Sequence, residues 1–223
     1  MTRRPGASYD PAMIKVILCD DHALIRRGIR DTLADAADIE VVAEAGDYGE
    51  LRVQLRTHRC DVLVLDINLP GRSGLDVLQV LKDEGSPIKV LVVSMYPEDQ
   101  YAIRALRAGA HGYVNKGSEP QVIVNAVRTV AQGRKYVTPE IAQMLVESLT
   151  APVAENPHDK LSDRELQTLV MIASGKRLAD IALALTLSPK TVSVYRARVL
   201  EKLGLQNNSE LTVYAIRRGL VGE

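Results

Sequence analysis

The stretch CDVLVLDINLPGRSG, residues 60–74, decides the fold. Val62, Leu63, Val64 and Leu65 run without a polar interruption into a carboxylate, Asp66. A turn with Leu69, Pro70 and Gly71 follows. A strand with no polar face is one covered on both sides, as in a parallel sheet flanked by helices. Such a strand has no structural need for a charge at its carboxyl end. Asp66 therefore reads as a functional group.

Working outward, the same kind of run recurs as KVILCD (15–20), IEVVAEA (39–45), IKVLVVSM (88–95) and HGYVNK (111–116). Helical stretches lie between them. HALIRRGIRDTLADA (22–36) is expected to place Leu24, Ile25, Ile29 and Leu33 on one face. SGLDVLQVLKDEG (73–85) does the same with Leu75, Leu78 and Leu81 and stops at Gly85. PEDQYAIRALRAGA (97–110) and SEPQVIVNAVRTVAQG (118–133) complete the set. This alternation predicts a doubly wound, flavodoxin-like α/β domain over residues 13–137, with five parallel strands.

Past residue 137 the pattern changes. Residues 138–150 read as a short helix opened by Pro139, and APVAENPHDK (151–160), with two prolines and no periodicity, reads as a linker. Residues 138–159 thus join the α/β domain to a second one at 160–223. That domain is purely helical. Its first helix opens with Ser162 and Glu165 in a capping box and closes at Gly175. RLADIALALTL (177–187) is the second. The third begins at Ser188-Pro189 and ends at Gly204, and a fourth is capped by Asn208 or Ser209. Four helices of this length make a small all-α unit.

Charge divides the same way. The 28 basic and 28 acidic residues cancel overall, yet residues 160–223 carry ten Lys and Arg against six Asp and Glu. A basic end on an acidic body points to nucleic acid at the C-terminus. Cys19 and Cys60 sit in or beside apolar runs and read as reduced core thiols. No apolar run reaches the roughly 20 residues of a membrane helix, so a cytoplasmic protein with no membrane partner is expected. Residues 1–12 lack a signal-peptide centre and read as an N-terminal extension, disordered or an alternative start ahead of Met13.

Ligands of an open parallel sheet bind beyond the carboxyl ends of its strands, where the strand order reverses. Two strand ends carry suitable groups in Asp20, Asp21 and Asp66, and two more in Ser94 and Lys116. With strand order 2-1-3-4-5, the three carboxylates converge. They repel unless they share a cation, and oxygen-only ligation with open positions suits Mg2+. Asp66 can then attack a phosphorus atom in line, with Lys116 and Ser94 holding phosphoryl oxygens. Singly, each residue has an ordinary reading: a strand-end Asp is usually a cap, and a lysine before a glycine is usually surface. Their occurrence together on successive strand ends is what carries weight.

The third helix of the C-terminal domain is the candidate for the major groove. Val192, Tyr195, Val199 and Leu203 are expected to pack inward. Lys190, Ser193, Val194, Arg196, Ala197 and Arg198 form the surface expected to meet DNA, with Thr191 and Lys202 holding phosphates. A solvated basic face is the alternative.

ILCDDH, DVLVLDINLPGRSGLDVL, VLVVSM and AGAHGYVNKGS resemble the receiver domain of two-component response regulators. Residues from Leu161 to Val221 resemble a LuxR-type helix-turn-helix, and the two together resemble the NarL/FixJ class from Met13 onward. The resemblance implies Asp66 as phosphoacceptor. It implies Asp20, Asp21 and the Asn68 backbone carbonyl as further metal-site groups. Ser94 and Lys116 become the switch hydroxyl and phosphate-binding lysine, and Tyr113 the aromatic that turns inward on activation. Two departures stand out: Asn115 before the lysine, where apolar residues are usual, and Arg177-Leu178-Ala179-Asp180 in place of a polar Asn-Lys-Glu. The expected function is a phosphorylation-controlled transcription regulator, not an enzyme beyond its own phosphorylation and slow dephosphorylation. Its partners would be a sensor histidine kinase and double-stranded promoter DNA, with a homodimer forming on phosphorylation. A regulator indifferent to phosphorylation is one alternative. An aspartyl-phosphate phosphatase is another, opposed by Asn68, which stands where those enzymes carry a general-acid Asp.

Overall fold

The computed structural model describes residues 13–96, 98–150 and 157–221. The extension at 1–12 and most of the expected linker, 151–156, lie outside the described residues. Five strands, β1 (Ile14–Cys19), β2 (Ile39–Ala45), β3 (Val62–Leu65), β4 (Lys89–Ser94) and β5 (Gly112–Asn115), pair in parallel in the order β2-β1-β3-β4-β5. The helices between and after them are α1 (Ala23–Ala34), α2 (Tyr48–Thr57), α3 (Gly74–Asp83), α4 (Glu98–Ala108) and α5 (Pro120–Ala131).

β3 holds the centre. All four of its residues are buried, because helices cover both faces of the sheet. Leu63 and Leu65 face one core with α3 and α4. Val62 and Val64 face the other with α1 and α5. Each such side chain contributes roughly 1.5–3 kcal/mol by leaving water. The turn after β3 is equally constrained. A Cβ on Gly74 would lie 2.1 Å from the Asp66 carbonyl oxygen, so only glycine lets α3 start so close to the strand end.

Leu24 corrects one expectation: it is 85% exposed. Ile25, Ile29 and Leu33 recur every four residues on the inner face of α1, and Leu24 is rotated by about 100° from that line.

α6 (Pro139–Thr150) follows β5 and α5, and a 3-10 turn at Pro157–Lys160 precedes the helical domain. That domain comprises α7 (Asp163–Ala173), α8 (Leu178–Ala184), α9 (Pro189–Leu203) and α10 (Asn208–Arg217). The capping box of Ser162 and Glu165 forms as expected, and Ser188 caps α9, which ends at Gly204 in the left-handed conformation. α10 is capped by Asn207, whose side chain accepts from the Glu210 N–H; Asn208 and Ser209 already lie inside the helix. On α9, Val192 and Val199 are fully buried, while Tyr195 and Leu203 are only partly so. The α8–α9 turn places Thr186 at φ 52°, a left-handed conformation rarely adopted by a β-branched residue.

One apolar cluster runs through both domains, and polar groups tie them together as well. Arg104 on α4 donates to the carbonyls of Leu161 (2.9 Å) and His158 (2.5 Å). Arg164 on α7 donates to the Leu69 carbonyl and to Asn68 Oδ1 (3.3 Å), both in the loop after β3.

Candidate functional site

The β2-β1-β3 order brings the ends of β1 and β3 side by side, with Asp20 and Asp66 one residue past paired Cys19 and Leu65. The Asp66 N–H donates to the Cys19 carbonyl (2.8 Å), and the Asp20 N–H to that of Ala45 (3.0 Å). The acid pair is therefore fixed by the ladder itself. Asp20, Asp21, His22 and Asp66 each present one ligand atom, all within 4.8 Å of one another. His22 escapes sequence reading, although it directly follows the acidic pair.

Lys116 reaches in from the end of β5. Its ammonium lies 2.7 Å from Asp66 Oδ2 and 2.6 Å from Asp20 Oδ2, with side chains 3%, 3% and 6% exposed. Asp20 Oδ2 and Asp21 Oδ1 are buried without a well-aligned hydrogen bond, although an ammonium and an imidazole respectively stand close to them. Buried carboxylate oxygens with spare acceptor capacity are what a hard cation needs, so the donor set fits a small divalent ion. Burial pushes the Asp66 carboxyl above its ordinary range. Lys116 opposes that shift and the Asp20 carboxylate adds to it.

Ser94 is fully buried at the end of β4, and its hydroxyl accepts from the Tyr96 N–H at 3.3 Å. Tyr113 on β5 is also fully buried, with its hydroxyl donating to the Tyr96 carbonyl at 2.7 Å. It is thus inward in this structure, and Tyr96 stacks on the buried Tyr101 beside it. The unusual Asn115 donates to the same Tyr96 carbonyl and accepts from the Gly117 N–H, pinning the turn that aims Lys116. Nothing in the isolated tripeptide around Asn115 signals that role.

On α9, Lys190, Ser193, Val194, Ala197 and Arg198 are exposed. Thr191 is half-buried and tied to the Ser188 cap. Arg196 donates to Asn208 of α10 at 2.5 Å. Lys202 is occupied: its ammonium donates to Glu165 (2.7 Å) and to the Lys160 carbonyl (3.2 Å). The exposed, unengaged basic groups of α9 are thus Lys190 near its start and Arg198 past its middle. At the start of α8, the N-cap residue Arg177 pairs with Asp180 at 3.0 Å.

Residues 16–128 match the response regulator receiver domain family, and residues 159–215 match the bacterial regulatory proteins of the luxR family. The chain belongs to the response regulators that join these two domains, and so to the DNA-binding transcription regulators of two-component signalling. Among particular proteins, it is 39% identical over 209 residues to the response regulator UvrY of Escherichia coli K12, covering 93% of this chain and 96% of that one. It is 41% identical over 211 residues to the response regulator GacA of Pseudomonas aeruginosa PAO1, covering 94% and 98%. The crystal structure of the response regulator ChrA, of a heme-sensing two-component system, superposes with a TM-score of 0.51 at 31% identity, covering 94% of this chain and all of that one. Among the described residues no helix is long and apolar enough to cross a membrane.

Proposed function

We propose that Asp66 is the phosphoacceptor of a cytoplasmic switch, and that a sensor histidine kinase is its donor. The observation that carries this is Lys116 bridging Asp20 and Asp66, all three side chains nearly buried, beside Asp21. An Asp66 oxygen attacks phosphorus, the P–N bond to the donor imidazole breaks, and the imidazole nitrogen keeps the electron pair and takes up a proton. Lys116 then releases Asp66 and neutralises a phosphoryl oxygen, and Ser94 donates a hydrogen bond to another. Mg2+, held by Asp20, Asp21, Asp66 and the Asn68 carbonyl, would supply charge neutralisation at the transferred group.

The working units in this reading are a receiver at 13–137, a connecting helix and linker at 138–159, and a DNA-binding domain at 160–223. The outer surface of α9 already faces solvent from Lys190 to Arg198, with Lys190, Ser193, Val194, Ala197 and Arg198 exposed. This favours phosphorylation acting through dimerisation, rather than by unmasking a covered helix. A two-fold dimer sets two α9 helices on half-sites about one helical turn apart in promoter DNA. Tyr113 and Ser94, joined through Tyr96, carry the change from the phosphoryl group toward α4 and β5.

The test is incubation with acetyl phosphate and Mg2+, followed by intact mass, sedimentation and promoter gel shift. One phosphoryl group should be gained, lost in Asp66→Asn, with a heavier species and tighter DNA binding. A wild-type chain that gains no phosphoryl group rejects the reading.

A further inference from the structure

Arg164 is the least explained charge in the molecule. It lies on α7 of the DNA-binding domain and is 4% exposed. Burying a guanidinium costs several kcal/mol unless it is paired, yet no described carboxylate lies within ion-pairing distance of it. Its acceptors are neutral: Gln167 Oε1 at 2.9 Å, Asn68 Oδ1 at 3.3 Å and the Leu69 carbonyl. Its Nε has no partner. Two of these three acceptors belong to the receiver, in the loop that leaves Asp66.

The same loop is held from a second side. Asn68 Nδ2 donates to the Ala184 carbonyl at the end of α8, 3.4 Å away. A cavity of about 290 Å3 lies between the domains, with Asp66, Asn68 and Lys116 on one wall and Met171, Lys176 and Leu185 on the other. The helical domain thus stands over the acid pocket and grips the residue two positions beyond Asp66.

Given the phosphoacceptor reading above, on which this rests, we infer that Arg164 is a positioning residue that sets docking of the DNA-binding domain against divalent-cation binding at the acid pocket. The loop that must offer the Asn68 carbonyl to the cation is held through its side chain by a buried positive charge, and two cations bound to one residue repel. Lys176, on the cavity wall, adds a second positive charge from the same domain. Linkage is reciprocal: docking weakens the cation, and the cation loosens docking by the same factor. The acid pocket therefore reports its loading to the DNA-binding domain through charge at Arg164.

The experiment is calorimetric titration of the full chain with MgCl2, alongside small-angle scattering with and without saturating Mg2+. Arg164→Gln, which removes the charge and keeps a hydrogen-bonding side chain, should bind Mg2+ several-fold more tightly than wild type. Arg164→Lys, which keeps the charge, should stay within about twofold of wild type, the least such a titration separates. Wild type should expand on Mg2+ addition. Ala184→Trp leaves Arg164 in place and crowds α8 off the loop without adding charge to the cavity wall; it should reproduce the gain even if Arg164→Gln does not fold. Wild-type affinity in both Arg164→Gln and Ala184→Trp overturns the inference, as does an equal gain in the Lys and Gln variants. A wild-type chain that binds no Mg2+ and takes no phosphoryl group from acetyl phosphate instead sinks the phosphoacceptor reading itself.

Discussion

Lys116 Nζ stands between Asp66 Oδ2 and Asp20 Oδ2, 2.7 and 2.6 Å away, so one ammonium neutralises two carboxylates from separate strands. The arrangement makes the lysine a structural counter-ion as well as a phosphate-binding group. Removing one partner of a buried ion pair typically costs about 3–5 kcal/mol. Lys116→Met should therefore melt well below wild type, and added MgCl2 should recover more of its stability than it adds to wild type. Scanning calorimetry at two MgCl2 concentrations decides this; equal metal-induced shifts would count against it.

Asp66→Asn should go the other way. The folded carboxyl titrates above its ordinary value because burial outweighs the pull of Lys116. A group raised in this way contributes stability below its unfolded pKa and loses it as pH rises, so at neutral pH ionised Asp66 is a net cost. The Asn variant should melt a few degrees higher at pH 7, about 2–4 °C for each kcal/mol in a chain of this size. The gap should close as pH falls toward 4. A lower melting temperature at pH 7 would contradict it.

His111 sets an acid limit. Its Nδ1 accepts from the Val90 N–H at 3.3 Å, and burial, with Lys135 and Lys89 nearby, lowers its pKa from 6.5 to about 4. A depressed histidine contributes stability that is complete above 6.5 and is lost as pH falls toward 4. His111→Gln, which stays neutral, should lose on the order of 1 kcal/mol less than wild type across that window. Urea melts at pH 7 and 4.5 would check it.

Thr186 sits at φ 52° in the α8–α9 turn. The left-handed conformation costs a side-chain-bearing residue roughly 1–2 kcal/mol, against about 0.5–1 kcal/mol of extra chain entropy for glycine. Thr186→Gly is expected to stabilise by up to about 1 kcal/mol without changing DNA affinity at saturation of folding. Destabilisation in a denaturant melt would refute the strain.

The exposed and the engaged bases of α9 should separate in DNA binding. Lys190→Ala and Arg198→Ala should each weaken binding and lower the salt-dependence slope by about 1. Lys202→Ala should leave the slope nearly unchanged and instead destabilise the fold, since its ammonium holds Glu165 and the Lys160 carbonyl. Fluorescence anisotropy over a salt series distinguishes the three.

Much of the molecule is legible in its chain. The apolar run at 62–65 announces a doubly covered strand because no polar residue could survive on either face. Ser162 with Glu165, and Ser188 with Pro189, mark helix starts because local hydrogen bonds and a fixed φ act within one turn. Leu24 and the cap of α10 misread because a local pattern does not say where a helix face ends or which of three adjacent polar residues turns its side chain back.

Read alone, the chain determines that carboxylates end β1 and β3 and that a lysine follows β5, since these depend only on alternation and spacing. Only the tertiary structure decided that Lys116 would bridge two of those carboxylates, that Tyr113 would lie inward against Tyr96, and that Arg164 would reach across to Asn68 and Leu69. Those contacts join residues far apart in sequence. Their energies come from burial and charge, which a one-dimensional pattern cannot assign to pairs.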